Sequence, residues 1–263
     1  MKNRLPFIVV FLLVTASLCR AQNPVLYGMT DGGGTYGEGV IFNFDVSTGV
    51  ETTLHNFGAA LDGLYPHGSL NRATNGVLYG TTQLGSTSSG TMFSYTISTA
   101  TEKVIYPFAT GNPWGSFIQA NNGILYGMTT MGGANTLGAI YSYDITTGTA
   151  TDIYDFSNNN TDAEEPYGAL VQASNGLLYG TGSFGGNSVI NGAIFSYDIT
   201  TGAETVLHSF DSADNGAYVP ALSVVFDSAG NLYGTTHFGG FNYGGAVYVA
   251  PSQVRAALTS THG

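Results

Sequence analysis

After the first 21 residues, the apolar positions of this chain fall in short runs, each about one strand long, divided by Gly, Ser, Thr and Asn. The clearest set begins at Gly68. Residues 68–73 predict a short strand, a. Asn75-Gly76 follows, a two-residue hairpin signal because both residue types tolerate positive φ. Residues 77–82 predict strand b, and a Gly/Ser-rich loop runs to Gly90. Residues 91–96 predict strand c and, after a turn, residues 103–108 predict strand d. Strand b is apolar at successive positions, as in Val77-Leu78-Tyr79 and Leu177-Leu178-Tyr179. A strand with one wet face alternates, whereas an unbroken run suits a sheet covered on both faces.

The same order returns along the chain. Leu-Tyr-Gly opens at Leu26, Leu78, Leu125, Leu178 and Leu232, in steps of 52, 47, 53 and 54 residues. Strand c recurs at 40–45, 139–144 and 193–198, and a tight turn follows each time from Asp45, Asp144 or Asp198 to a Gly. Four short antiparallel strands per ~50 residues is the pattern of a β-propeller blade. The expected fold is therefore all-β: a propeller of five four-stranded blades over residues 22–250. Its seam is incomplete. Repeat one starts at strand b, and repeat five has strands at 223–226, 232 onward and 246–249 before a weak fourth strand at 254–258 in the tail, 251–263. An open solenoid shares the same period logic and stays as the alternative. The Gly after each Tyr predicts a place where another backbone comes close.

Taken together, the motifs Pro-x-Gly-x-Leu, Asn-Gly-x-Leu-Tyr-Gly-Thr-Thr, Gly-Gly, Gly-Ala-Ile-Phe-Ser-Tyr-Asp and Thr-Thr-Gly resemble the GloVer tandem repeat. That family consists of exported bacterial proteins with varied C-terminal anchors. The resemblance covers nearly the whole chain after residue 21. It implies a secreted or cell-surface repeat protein with a propeller-like fold, and it brings no catalytic residues with it. Repeat two departs from the pattern with Thr96 in place of Asp and Ala100 in place of Gly, and no anchor of the family's kind is recognisable.

Composition narrows the partners. Only 9% of residues are charged, against roughly a quarter in average domains, while 43% are hydrophobic and 13% aromatic, enough for a sizeable core. Residues 1–21 read as a secretory signal peptide, with Lys2 and Arg4 before an apolar stretch at 7–18 and cleavage expected after Ala21. Cys19 raises a lipoprotein reading, but Leu18 stands before it where a small residue is preferred. Cleavage leaves Arg72, Lys103 and Arg255 against 17 acidic residues, a net charge of −14, and no cysteine for disulfides. So acidic a chain excludes phosphate-backbone binding and attraction to anionic membranes. Without the leader, no membrane insertion is expected, and the protein is expected to be a monomer.

In such a meander the a–b and c–d turns share one face, and the b–c and d–a loops share the other. The second set varies in length and content, so binding is expected there. His67, Trp114 and Tyr167 stand at one register of the d–a loop, with Ala221 in repeat five, and would ring the central opening. One aromatic per blade could stack on sugar rings, or each could pack under its loop. Leu84, Phe184 and Phe238, with Met131 one place short, read as loop plugs; Asp31, Gln83 and His237 precede that register as hydrogen-bonding candidates. Acids gather in the d–a loops, at Asp62, at Asp162, Glu164 and Glu165, and at Asp211 and Asp214. They read as a solvated rim, with Ca²⁺ as the alternative because oxygen-rich loops can supply its ligands. No other cofactor is implied. His55 and His208 share a register with Tyr106 and Tyr154 and read as packing. The function expected is noncatalytic binding or adhesion toward a glycan or a surface protein. A glycan-active hydrolase or lyase is the alternative, but strand a offers no carboxylate to do that chemistry. A structural spacer is the third reading.

Overall fold

The computed structural model describes residues 24–59, 62–85, 89–159, 162–187, 191–211, 218–220, 223–240 and 244–250. The expected leader (1–21), the tail (251–263) with its weak strand, Asp214 and Ala221 lie outside the described residues. Within them the chain is all-β, with no helix. Five antiparallel sheets follow one another. Sheet one has β1 (Val25–Thr30), β2 (Val40–Asp45) and β3 (Val50–Asn56). Sheet two has β4 (Leu64–Arg72), β5 (Leu78–Leu84), β6 (Thr91–Thr96) and β7 (Thr101–Pro107). Sheet three has β8 (Ile118–Gln119), β9 (Leu125–Thr129), β10 (Ala139–Asp144) and β11 (Thr149–Asp155). Next come β12 (Ala163–Glu164), β13 (Val171–Gln172), β14 (Leu178–Gly182), β15 (Phe184–Gly185), β16 (Ala193–Asp198) and β17 (Ala203–Ser209). Of these, β13-β14-β16-β17 make sheet four and β12 pairs with β15 as a small ribbon. In sheet five, β18 (Tyr218–Pro220), β19 (Val225–Phe226) and β21 (Ala246–Ala250) all pair with β20 (Leu232–Phe238).

Local chemistry explains the repeated motifs. In Asn-Gly-x-Leu-Tyr, the Asn75 carboxamide oxygen accepts the Val77 N–H at 3.1 Å, and its nitrogen donates to the Tyr79 hydroxyl at 2.9 Å. Asn122–Tyr126 and Asn175–Tyr179 repeat the second bond at 2.8 Å. The Tyr can therefore be buried while its hydroxyl stays satisfied. In the c–d turns, Asp45, Asp144 and Asp198 accept the N–H two residues on at 2.7–2.8 Å, which closes the turn; the Ser47 hydroxyl, at 2.6 Å, with the Ser47 N–H at Asp45, and the N–H bonds at Asp144 and Asp198, hold each carboxyl below the usual carboxylate range. Four c–d pairs share a bulge at one register, between Ile41 and Phe42, Met92 and Phe93, Ile140 and Tyr141, and Ile194 and Phe195. The extra residue on the partner strand is Leu54, Ile105, Ile153 or Leu207, and each packs against a buried core.

The core lies in the seams between sheets. Ile41 and Phe57 of sheet one meet Leu78, Phe93 and Tyr95 of sheet two. Met92 and Phe108 meet Phe117, Leu125 and Tyr141. Ile140 and Phe156 meet Leu178 and Phe195, and Ile194 and Phe210 meet Leu232. Each middle sheet thus sends its Leu backward and its Tyr and second c-strand residue forward, which is why strand b is apolar without alternation. Burying each such Leu contributes about 1.5–3 kcal/mol. The Gly after Tyr has a different reason from the one expected. A Cβ on Gly80 or Gly180 would meet not a backbone but the ring tip of Phe93 or Phe195, at 2.6 and 2.7 Å. Glycine leaves the space that the neighbouring strand's ring fills.

Candidate functional site

The d–a segments of sheets two, three and four come together; in sheet two the residues expected in a loop lie within β4 instead, at an irregularity between His67 and Asn71. Gly68, Gly115 and Gly168 each follow an aromatic residue, and Gly68 takes φ +75°. A Cβ on Gly115 would collide with the Gly168 carbonyl oxygen, so glycine here lets successive turns approach. Side chains then tie turn to turn: the Ser69 N–H donates to Ser116 Oγ at 2.6 Å, and the Ala169 N–H donates to Ser223 Oγ at 2.8 Å. The result is one open cavity of about 900 Å³, lined by aromatic His67, Trp114 and Tyr167 and by Phe184, Val219 and His237, with Ser69, Ser116 and Thr235 supplying hydroxyls.

Three of the aromatics expected at one register thus share one wall. His67 lies 4.3 Å from Trp114, ring to ring and tilted by 31°, and Trp114 meets Tyr167 edge-on at 5.9 Å. All three are half-buried. They also touch one another, so part of each ring is used in packing and part faces the cavity. Burial pushes the Tyr167 hydroxyl up, with Glu165 adding to the shift. His237 also lines the cavity, stacked on Phe238 at 4.8 Å. Asp31, which is exposed, and Gln83, half-buried at the end of β5, lie outside the cavity lining. Two of the expected loop plugs are solvent-facing instead: Met131 and Phe238 are exposed, although Phe238 stacks on Tyr218 at 5.3 Å as well as on His237. The serines escaped the sequence reading, although Ser69, Ser116 and Ser223 share one register two places after the aromatic position.

The acidic loops differ most from expectation. Asp62, Asp162 and Glu164 are buried rather than forming a solvated rim, Asp162 and Glu164 at 2% and 4% exposure. The reason is local hydrogen bonding. Asp162 accepts the Ser157 N–H and hydroxyl at 2.9 Å and the Tyr154 hydroxyl at 3.0 Å. Asp62 accepts the Gly58 N–H at 3.0 Å and pairs with His55 Nε2 at 3.2 Å, so His55 has a polar role beyond packing. These carboxylates fasten the d–a loops. Glu165 is half-buried with φ +47°, and Asp211 is exposed. Burial, with Asp162 nearby, pushes the Glu204 carboxyl up to about 8, and burial, with Asp62 nearby, pushes Glu102 up to about 7. Among the described residues no group of three His, Cys, Asp or Glu side chains is placed to hold a metal ion. No helix among them is long and apolar enough to cross a membrane.

Successive antiparallel sheets built from one repeat, packed seam to seam with their inner turns around a cavity, define a β-propeller-like repeat protein. Solved structures agree on the fold. TolB from Acinetobacter baumannii is 16% identical with a TM-score of 0.53, over 89% of this chain and 53% of that one. A chain of a nidogen/laminin complex is 14% identical with a TM-score of 0.54, over 86% and 77%. The extracellular domain of BT4673 from B. thetaiotaomicron is 14% identical with a TM-score of 0.52, over 80% of this chain and 25% of that one. The chain spans about half of the TolB chain and a quarter of the BT4673 chain. No curated protein matches by sequence. The Gloeobacter/Verrucomicrobia repeat profile matches residues 14–248, and the chain belongs to that family.

Proposed function

We propose that this is a secreted or cell-surface binding protein without catalytic activity, and that its ligand is a carbohydrate held in the cavity of the d–a turns. The observation that carries the reading is the contiguous row His67–Trp114–Tyr167 on one wall of that cavity. Flat, half-buried rings offer an apolar face to a sugar ring, and the hydroxyls of Ser69, Ser116 and Thr235 suit its polar rim. Five sheets built as successive propeller blades would hold the row rigidly. Among the described residues that line the cavity there is no carboxylate, and hydrolysis between two carboxylates would need a pair of them there. Export is supported by the leader-like residues 1–21 and by likeness to an extracellular domain. A glycan array on the protein tests the reading, with Trp114→Ala and the triple change of His67, Trp114 and Tyr167 to Ala beside it and EDTA in a parallel set. Selective binding is expected, weakened about tenfold or more by Trp114→Ala, which is roughly 1.4 kcal/mol. Binding that survives the triple change in a folded protein would refute the aromatic wall as the site. EDTA sensitivity would add calcium.

A further inference from the structure

Equivalent residues in the five sheets are buried or exposed according to a simple rule. The Leu of Leu-Tyr-Gly faces the preceding sheet, and it is 0–4% exposed at Leu78, Leu125, Leu178 and Leu232. At Leu26, in sheet one, it is 58% exposed. The second residue of strand c faces the following sheet, and it is 0–1% exposed at Ile41, Met92, Ile140 and Ile194. At Val247, in sheet five, it is 76% exposed. Val225 and Val249 stand open on the same face as Val247. Among the described residues, no buried cluster joins sheet five to sheet one.

These two open faces are the two halves of a seam that the molecule makes four times internally. Ile41 shares a cluster with Leu78, Met92 with Leu125, Ile140 with Leu178 and Ile194 with Leu232. By register, the missing partner of Val247 is Leu26. We propose that sheet five of one copy of this chain docks on sheet one of a second copy, and so extends the internal seam from chain to chain.

Three points favour a second copy as the occupant. The complementary face is already present on the same molecule, at the matching register. Within one copy the two faces stand exposed rather than packed on each other. The apolar residues of the two faces also offer one acidic molecule a place to meet another. The chain carries a net charge of −11, whereas Leu26, Val225, Val247 and Val249 carry none. The contact is head-to-tail, so it closes into a ring if the rotation permits and otherwise grows into longer chains. It departs from the monomer that the sequence led us to expect, and it does not depend on the carbohydrate reading.

The test uses the full chain with Cys19→Ser, so that no native thiol competes. Leu26→Cys and Val247→Cys are placed on separate, differently tagged chains, co-expressed and oxidised. Both positions are exposed, so neither change removes buried core. The expected result is a disulfide-linked pair that carries both tags, absent when either variant is made alone. A mixture that gives no two-tag species would overturn the proposal. In that case the chain with both changes tells what happens instead. An intrachain bridge means that the ring closes on itself, and no bridge means that another segment or partner covers these faces. Light scattering gives an independent reading. The unmodified protein is expected above the mass of one chain, and Val247→Asp is expected to bring it down to one chain with an unchanged circular dichroism spectrum. An unmodified protein at the mass of one chain at every concentration would also overturn the proposal.

Discussion

At Tyr141 and Ala100 the repeats do not all keep one residue. Phe42, Phe93 and Phe195 hold the register at which sheet three has Tyr141 and sheet five has Tyr248. Its ring is packed against Phe108 and Phe117, but its hydroxyl is buried with no hydrogen-bond partner among the described residues. A buried polar atom without a partner costs about 1–3 kcal/mol. Tyr141→Phe is expected to raise stability by about 1 kcal/mol, read as a higher urea midpoint with an unchanged slope. Ala100 sits at φ +49° where Gly49, Gly148 and Gly202 sit at +70 to +74°. Ala100→Gly relieves a left-handed residue and loses some chain stiffness, for an expected net gain of about 0.5–1 kcal/mol in the same assay. The residue scale was largely legible in the sequence. Asn75-Gly76 and Asp144 to Gly148 predicted their turns because short-range geometry alone decides them. The partner of the Asn75 carboxamide, Tyr79, was not read, although it lies only four residues away, because the bond needs the hairpin to be folded first.

The elements owe their positions to close approaches that sequence spacing hints at without explaining. Gly115 is the example: its lack of a side chain lets the turn before sheet three lie against the Gly168 carbonyl. Gly115→Ala is expected to cost about 1–3 kcal/mol through overpacking, and to disturb the near-ultraviolet spectrum of Trp114 beside it. Strand order, the hairpins and the long inter-sheet seams followed from the apolar runs. The acids did not follow. Asp62, Asp162 and Glu164 lie in polar, glycine- and asparagine-containing stretches that look like wet loops, yet they are buried. Asp62 and Asp162 are held there by N–H and hydroxyl groups on Gly58, Ser157 and Tyr154, whose convergence on a carboxylate is a property of the folded loop, whereas Glu164 is carried inside by the pairing of β12 with β15. The aromatic row was legible as one residue per repeat at one register. That its members touch each other depends on how far each sheet turns from the last, which no single repeat records.

For the molecule as a whole, the buried carboxyls set a direction for stability against pH. Glu204 and Glu102 titrate in the folded protein near 8 and near 7, above the 4.5 of a free side chain. A raised folded-state value means that the native protein binds the proton more tightly than the unfolded chain does. That stabilisation is complete below about pH 4.5, falls as pH rises, and is gone once pH passes the folded values near 7 and 8. Urea unfolding at pH 5, 6.5 and 8.5 is therefore expected to give steadily lower stability. Glu204→Gln should flatten the profile, and a profile that rises toward alkaline pH would contradict the assignment. An acidic optimum of this kind follows from where the seams place their carboxyls, not from the net charge.

The open faces at Leu26 and Val247 carry a consequence for time as well as for assembly. Among the described residues a middle sheet is held by two neighbours and an end sheet by one, so in a dilute, single-chain sample the ends are expected to open more often than the centre. Backbone amides should exchange with heavy water slowest in β9 and β10, faster in β5 and β14, and fastest in β1 and β21. Raising the protein concentration should slow the two ends and leave the centre as it was.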